Sequence, residues 1–222
     1  MNITPPARLW WTSFGVAFLG WCLAAARHWL LQSNAYDLGL FDQWAWLVSH
    51  GLPPISSMED VHLLADHGAW MFYWSGLPYW FHPSIHWLLA SQALTLSLTA
   101  LPLWMLASQA GLTRRLCWFS CLLWWLQPLV FNVNLFDFHP ETWVMPGLAL
   151  AIWCQRQKRF GAWVALLVLM LGCRDGLVLV TLGLSLSLLI QRRWRWAIIG
   201  AGVSGAWILL LSKWLYPWFR NG

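Results

Sequence analysis

The sequence predicts an all-α fold in which a bundle of helices crosses a lipid bilayer. Of its 222 residues, 59 % are hydrophobic and 9 % are charged, whereas a soluble domain carries about 25 % charged residues. An aqueous globule of this size could not hide so much apolar surface, so the surplus must face lipid. The 22 Trp residues indicate the same, because the amphipathic indole ring prefers the membrane interface. We therefore expect a single integral membrane domain over residues 1–222.

Clusters of basic residues predict how the chain crosses the bilayer. Cytoplasmic loops of membrane proteins are enriched in Lys and Arg, so an even number of spans must separate neighbouring cytoplasmic clusters. The clusters are Arg8, the pair 114–115, the group 156–159 and the group 192–195. Seven spans satisfy this condition, with a cytoplasmic N-terminus and an outer C-terminus. They are residues 9–31, 83–107, 116–130, 141–154, 160–172, 177–190 and 196–216.

The acidic residues, which did not enter this assignment, all fall on the outer side. They are Asp37, Asp42, Glu59, Asp60, Asp66, Asp137, Glu141 and Asp175. Acidic residues contribute little to orientation, so their placement indicates that the outer face needs carboxylates. We expect a multi-pass protein of the inner cell membrane with acidic loops on the periplasmic side. The net charge of +5 then marks a basic cytoplasmic side, and nothing favours nucleic-acid binding.

The interval between the first two spans, residues 32–82, predicts an outer loop with interfacial helices. Four apolar residues recur at i, i+3, i+4 and i+7, as on one face of a helix: Phe41, Trp44, Ala45 and Val48. Gly51 and the prolines after it are typical of a helix end. We expect an amphipathic helix in the outer interface, followed by a second interfacial or re-entrant helix within residues 61–80.

Asp37 is the strongest candidate for a catalytic residue. A carboxylate at the membrane surface can act as a general base, and this one lies just before the amphipathic helix. The same position also suits a helix N-cap, since Asp accepts hydrogen bonds from free backbone N–H groups. Asp42 also has two alternatives, a functional carboxylate or a residue on the solvated helix face. Glu59 and Asp60 are typical of a hydrated loop.

The turn between the third and fourth spans carries more polar groups than a connection requires. They are Asn132, Asn134, Asp137, His139 and Glu141. This constellation could bind a cation or orient a substrate. The alternative is a helix cap by Asp137 with Pro140 in the first turn, which leaves His139 and Glu141 unexplained. A divalent cation is conceivable on these carboxylates, but no spacing matches a known metal signature, so the metal stays unknown.

Arg174 and Asp175 form a third candidate site. A single helix over residues 160–190 would be about 46 Å long against a hydrocarbon core of about 30 Å, so the chain must turn back near these two residues. Neighbours of opposite charge can simply neutralise each other. Cations near the outer boundary are also candidates for meeting an anionic group such as a lipid phosphate. These cations are Arg27, Arg174, Lys213 and Arg220.

Several short motifs in the sequence are similar to those of a known protein family. They are Tyr36-Asp37-Leu38-Gly39-Leu40-Phe41-Asp42-Gln43, Asp66-His67, Gln92 before Leu101-Pro102-Leu103, Phe136-Asp137-Phe138-His139-Pro140-Glu141, and Arg174-Asp175. Together they resemble a family of bacterial multi-pass membrane proteins of unknown function, which is related to the GT-C glycosyltransferase superfamily. The Asp-Phe-His-Pro-Glu run is the most specific of these motifs.

The resemblance implies a GT-C-like bundle with an acidic catalytic residue in the first outer loop. Asp37 matches that position, and Asp42 is the fallback. It also implies transfer of a sugar from a polyprenyl-phosphate donor, with inversion, on the outer face and without a nucleotide cofactor. The implied substrate-binding residues are His67, Asp137, His139, Glu141, Arg174 and Asp175. The chain departs from the family in keeping one acid at Arg174-Asp175, where an acidic pair is usual, and in being shorter.

Two other classes of function stay open at this point. A transporter would need ionisable residues at the bilayer midplane, whereas the predicted topology gathers them at the outer boundary. A truncated or non-catalytic membrane partner is the other alternative, and the small-residue pairs 201/205 and 202/206 would suit close helix packing. The sugar, the acceptor and the oligomeric state are not predicted.

Overall fold

The computed structural model describes residues 4–220, and these residues are almost entirely helical. Extended pairing within that range is limited to an isolated bridge between Ile55 and His62, so the all-α prediction is confirmed. The helices are α1 Ala7–Trp29, α2 Ala35–Ser49, α3 Leu63–Asp66, α4 Gly76–Phe81, α5 His86–Leu98, α6 Ala100–Gln109, α7 Arg114–Leu126, α8 Pro128–Leu135, α9 Val144–Arg156, α10 Phe160–Leu171, α11 Val178–Ile190, α12 Trp194–Leu210 and α13 Tyr216–Arg220.

Three helical segments are long and apolar enough to cross a membrane: Ala7–Trp29, His86–Gln109 and Trp194–Arg220. The pair α7 and α8 is a fourth candidate if the two helices, bent by 44°, form one span. Each of the seven predicted spans contains a helix, but α9, α10 and α11 have only 13, 12 and 13 residues. At 1.5 Å per residue such helices reach about 20 Å, less than the hydrocarbon core. The described residues thus support three or four spans.

The bend between α7 and α8 has a local cause. Pro128 occupies the first position of α8, and Gln127 before it is extended, with φ −64° and ψ 124°. A residue that precedes proline is driven out of the helical region by the proline ring. The segment predicted as one span over residues 116–130 is therefore two helices.

Helix α2 carries the predicted amphipathic pattern. Phe41, Trp44 and Ala45 are buried, and the chain leaves the helix through Gly51, whose φ of +66° favours glycine. The helix begins at Ala35, earlier than the pattern indicated. Its apolar face is covered by protein, because Phe41 packs edge-on against Phe138 with ring centroids 5.3 Å apart. The position of this helix in the outer interface stays a prediction.

The predicted second interfacial helix, within residues 61–80, is not continuous. It consists of α3, a 3₁₀ turn over Trp70–Ser75, and α4. Gly68 interrupts it with a φ of +59°, and an added Cβ there would lie 2.7 Å from Leu211 Cδ2. A left-handed residue in close contact with a neighbour cannot continue a helix, so the apolar segment breaks at this point.

The described residues form two compact units. The first contains residues 4–42 and 84–153, and the second contains residues 43–83 and 154–220. In the first, α1 packs along α5, and α6 packs along α7. In the second, α11 packs along α12, where Gly200 allows close contact: an added Cβ would lie 2.2 Å from Ser185 Oγ and 2.5 Å from Trp163. The prediction of one domain over residues 1–222 stays a prediction.

Replacing Gly200 by alanine should destabilise the second unit. The new methyl group overlaps Ser185 and Trp163, and overpacking a tight contact costs about 1–3 kcal/mol. Gly202→Ala in the same helix is the matched control, since an added Cβ there meets nothing within 4 Å and alanine favours the helix by up to about 1 kcal/mol. In thermal unfolding in detergent, the melting temperature of Gly202→Ala should equal or exceed that of the native chain. That of Gly200→Ala should be lower. Equal stability of the two variants would contradict this packing.

Candidate functional site

The buried carboxylate of Asp137 joins three parts of the first unit. Its side chain is 1 % exposed and accepts a hydrogen bond from Arg27 Nη1 at 3.0 Å. Its other oxygen accepts the backbone N–H of Asn34 at 2.6 Å. Buried charges need this kind of pairing to offset the loss of water. The last turn of α1, the entry to α2 and the Asp-Phe-His-Pro-Glu turn therefore meet at one ion pair.

Asp37 lies beside this ion pair. The N-cap of α2 is Asn34, whose Oδ1 accepts the N–H of Tyr36 at 2.9 Å, so the alternative that Asp37 caps the helix is wrong. Asn34 Nδ2 lies 3.3 Å from Asp37 Oδ2. Asn34 thus bridges the two carboxylates, Asp37 through its side chain and Asp137 through its backbone. The structure places Asp37 and Asp137 in one site, with Asp37 half-buried in the first turn of α2.

Asp42 faces a different direction from Asp37. It is also half-buried on α2, but five residues along an α-helix correspond to a rotation of about 140°. The contacts with Asp137 are therefore made from the Asp37 side of the helix. Of the two predicted catalytic carboxylates, Asp37 is the one that Asn34 links to Asp137.

Gln92 holds the Asp-Phe-His-Pro-Glu turn in place. Its side chain is buried, with Nε2 donating to the backbone oxygens of Val133 at 3.0 Å and Phe136 at 3.2 Å. Its Oε1 accepts the N–H of His139 at 3.0 Å. The sequence analysis gave Gln92 no role. An amide within an apolar span is the signal that could have found it, because such a group must find hydrogen-bond partners.

His139 presents one ring nitrogen for chemistry. Its Nδ1 lies 2.8 Å from the backbone oxygen of Asp137, and since a carbonyl oxygen only accepts, Nδ1 carries the proton. In the neutral ring, Nε2 is then the hydrogen-bond acceptor. His139 is also the N-cap residue of the 3₁₀ turn Pro140–Trp143, so the alternative cap by Asp137 is wrong, whereas Pro140 does occupy the first helical position.

An apolar cavity of about 600 Å³ opens beside this turn. Its polar lining includes Asp137, His139 and Glu141. Its apolar lining includes Leu96, Trp124, Leu129, Val130, Val133, Phe136 and Met145. Cavities of this size and composition are typical of sites for small molecules, where a few polar groups fix the orientation of a largely apolar ligand. We call Arg27, Asn34, Asp37, Asp137 and His139, with this cavity, the Asp137 site.

A second group of predicted residues meets in the second unit. Asp175 Oδ2 accepts a hydrogen bond from the hydroxyl of Tyr216 at 2.8 Å, and the N–H of Asp175 donates to the backbone oxygen of His67 at 2.8 Å. The His67 ring also contacts the carboxylate of Asp66 through Nδ1. Arg174 precedes Asp175 as the N-cap residue of a 3₁₀ turn. The structure therefore brings His67 and Asp175 together, although they are 108 positions apart in the sequence.

Tyr216 and Arg220 complete this second group, which we call the Asp175 cluster. The Arg220 guanidinium lies 5.0 Å from the ring centre of Tyr216 and donates to the backbone oxygen of Ala65 at 3.0 Å. Sequence analysis proposed Arg27 and Arg220 as partners of an anionic group. Arg27 meets the carboxylate of Asp137, and Arg220 meets a neutral carbonyl.

Two side chains near the Asp175 cluster, Glu59 and His62, have shifted pKa values. Burial raises the pKa of Glu59, with a further increase from the nearby charge of Asp66 and an opposing effect of His67. Burial also lowers the pKa of His62, whose Nδ1 accepts the N–H of Leu64 and whose ring stacks 4.0 Å from Phe219. Both shifts favour the neutral form, so the hydrated loop expected at Glu59 is partly shielded from water.

Among residues 4–220, no group of three or more His, Cys, Asp or Glu side chains could hold a metal ion. Asp137, one of the carboxylates of the turn on which a cation was conceivable, is engaged by Arg27 and Asn34. The arrangement of the Asp137 site is suited to proton transfer and to binding polar groups of a substrate.

The comparisons with known proteins concern most of the chain. A family model described as a predicted membrane protein (DUF2079) matches residues 27–222, a range that includes every residue of the Asp137 site and of the Asp175 cluster. No curated protein and no solved structure matches the chain. Together with the long apolar helices, the family match identifies a membrane protein.

Removing the cation of the buried ion pair should destabilise the first unit. Arg27→Met leaves the Asp137 carboxylate uncompensated, which costs about 3–5 kcal/mol for a fully buried pair. We expect the free energy of unfolding to fall by a smaller amount here, about 2–3 kcal/mol, because the Arg27 side chain is 26 % exposed. Arg115→Met, at an exposed arginine in the same unit, should change stability by less than about 0.5 kcal/mol. Thermal unfolding of the detergent-solubilised chain measures both.

The double variant Arg27→Met/Asp137→Leu extends this test. With both charges removed, the desolvation cost disappears along with the attraction, so the double variant should be more stable than Arg27→Met alone. A double variant whose loss equals the sum of the two single losses would show that the residues do not interact.

Proposed function

We propose, since the chain belongs to the DUF2079 family of predicted membrane proteins, that it is a membrane glycosyltransferase of the GT-C type. It moves a sugar from a polyprenyl-phosphate donor to an acceptor hydroxyl on the outer face of the inner membrane. The observation that carries this proposal is the Asp137 site, in which Asp137 and His139 line a largely apolar cavity and Asn34 links Asp137 to the half-buried carboxylate of Asp37.

The cavity supports a lipid-linked donor. Such a molecule combines an apolar chain with a polar phosphate and sugar, and the cavity walls combine Leu, Val and Met side chains with Asp137, His139 and Glu141. Nε2 of His139 can accept a hydrogen bond from a sugar hydroxyl, because Nδ1 holds the ring proton. Glu141 can accept a second one.

Asp37 is the proposed general base. Its carboxylate takes the proton of the acceptor hydroxyl while the hydroxyl oxygen attacks the anomeric carbon of the donor. The bond between the anomeric carbon and the phosphate oxygen breaks, and the lipid phosphate leaves with the electron pair on the opposite face of the sugar, so the configuration inverts. Asp137 is a positioning residue, since Arg27 and Asn34 occupy its two oxygens.

The Asp175 cluster supplies a second set of candidate substrate contacts. His67 and Asp175 meet there through a backbone hydrogen bond, and Arg174 adds a cation next to them. A guanidinium can bind an anionic group of a substrate. Within the second unit, we assign Arg174 to that role and His67 and Asp175 to positioning.

We further propose the seven-span topology with a cytoplasmic N-terminus. Helices α9, α10 and α11 are short for a bilayer, and short spans are accommodated by local thinning of the membrane or by packing against longer helices. This topology places the basic turns inside and all acidic residues outside, the arrangement that a transferase acting on the outer face needs.

The experiment compares two substitutions that remove the same charge. Asp37→Asn should reduce sugar transfer by at least about a hundredfold, because a general base contributes about 10²–10⁴. Asp60→Asn is the control, since Asp60 is exposed with a φ of +54° that Asn also tolerates. The assay measures transfer from radiolabelled polyprenyl-phosphate sugars in membrane vesicles that contain equal amounts of each protein. Undiminished transfer by Asp37→Asn would exclude the assigned base.

A further inference from the structure

Four cations surround a groove in the second unit that the transferase proposal does not use. Lys158 belongs to the turn between α9 and α10, and the others to the turn between α11 and α12 and the start of α12. They are Lys158, Arg192, Arg193 and Arg195, and the groove between them has a volume of about 610 Å³. No carboxylate is found among the described lining residues. We call this feature the basic groove.

Hydrogen bonds join the two turns to each other. Arg193 Nη1 donates to the backbone oxygen of Gln155 at 2.7 Å, and Gln155 Nε2 donates to Gln191 Oε1 at 3.0 Å. The guanidinium of Arg195 lies 5.1 Å from the ring centre of Phe160. The guanidinium groups of Arg193 and Arg195 are therefore held by the fold, and the hydrogen bonds between the two turns keep all four cations around one space.

Both turns place a cation where glycine is the usual residue. Lys158 and Arg192 each have a φ of +57°, and each lies two residues after the end of a helix. A carbonyl near the end of each helix accepts the N–H group five residues ahead, from Arg159 to Cys154 and from Arg193 to Leu188. This is the helix ending that glycine favours, because other residues are strained in the left-handed region. Two basic side chains at two strained positions on one groove indicate that the side chains have a use.

Aromatic rings complete the groove. Trp196 packs edge-on against Phe160, with ring centroids 4.9 Å apart, and lies 5.2 Å from Trp163. Trp194, also in the lining, is 59 % exposed. Trp beside apolar helices is characteristic of the headgroup level of a bilayer, so the groove has the side chains of a membrane boundary.

We infer that the basic groove binds the phosphate headgroup of an anionic phospholipid. Basic pockets between membrane helices bind such headgroups, and guanidinium groups form paired hydrogen bonds with phosphate oxygens. The cations would bind the phosphate oxygens, while Trp194 and Trp196 would lie at the level where headgroup meets acyl chain. This inference is independent of the proposed transferase activity and of the Asp137 site.

The experiment measures binding of single lipids to the full chain in neutral detergent by native mass spectrometry. The probes are phosphatidylglycerol, phosphatidylcholine and inorganic phosphate. We expect the native chain to retain phosphatidylglycerol at least tenfold more tightly than phosphatidylcholine and to show no comparable affinity for inorganic phosphate. Equal retention of the two lipids, or equal affinity for free phosphate, would overturn the assignment.

Two triple variants separate the groove from general charge. Lys158→Gln/Arg192→Gln/Arg195→Gln should weaken phosphatidylglycerol binding about a hundredfold, since each cation near an anionic lipid contributes about fivefold. Arg8→Gln/Arg114→Gln/Arg115→Gln removes the same charge from exposed positions outside the groove and should weaken it by less than twofold. Equal losses in the two variants would show unspecific attraction and overturn the proposal.

A glycine variant tests whether a loss of phosphatidylglycerol affinity is due only to misfolding. Lys158→Gly/Arg192→Gly relieves the two left-handed positions, so its melting temperature should equal or exceed that of the native chain. We expect it to lose at least tenfold in phosphatidylglycerol affinity all the same. A stable glycine variant with native lipid affinity would show that these side chains do not bind the headgroup.

Discussion

Arg27 and Asp137 form a buried ion pair on which the arrangement of the first unit depends. The two residues are 110 positions apart, and the carboxylate also receives the N–H of Asn34 at the entry to α2. Taking a carboxylate out of water costs several kcal/mol unless charge and hydrogen bonds offset it. The fold meets this requirement where α1, the entry to α2 and the Asp-Phe-His-Pro-Glu turn converge, and that convergence links Asp37, through Asn34, to the turn that carries His139 and lines the cavity.

Several polar groups in this apolar protein each have a separate role in forming the site. Gln92 holds the turn, and Asn34 links the carboxylates of Asp37 and Asp137. Arg27 neutralises Asp137. Asp37 and His139 are the groups of the site that we propose to contact the substrate. The same logic recurs in the second unit, where Tyr216 and the backbone of His67 hold Asp175. In both places a polar network with several partners fixes a motif that the sequence shows as a short run of charged residues.

Hydrophobic content and charge placement predicted the all-helical membrane fold, and the four-residue pattern from Phe41 predicted the buried face of α2. Asp37, Asp137 and His139 were also identified from sequence. The partners Arg27 and Asn34 could not be assigned, because their contacts join segments about 100 residues apart and no local pattern records them. The break at Gly68 depends in the same way on Leu211, which lies far along the chain. The lengths of the helices also depend on where the chain turns, and hydropathy alone does not predict the positions of these turns.

We propose that the cavity of the Asp137 site holds the lipid part of a polyprenyl-phosphate donor. Photo-crosslinking with a diazirine-bearing polyprenyl phosphate, followed by peptide mapping, tests it most directly. The account predicts labels on the apolar lining, at Val130, Val133 or Met145, and loss of these labels when unmodified polyprenyl phosphate competes. Labelling confined to peptides outside the cavity lining, or unaffected by the competitor, would contradict the account.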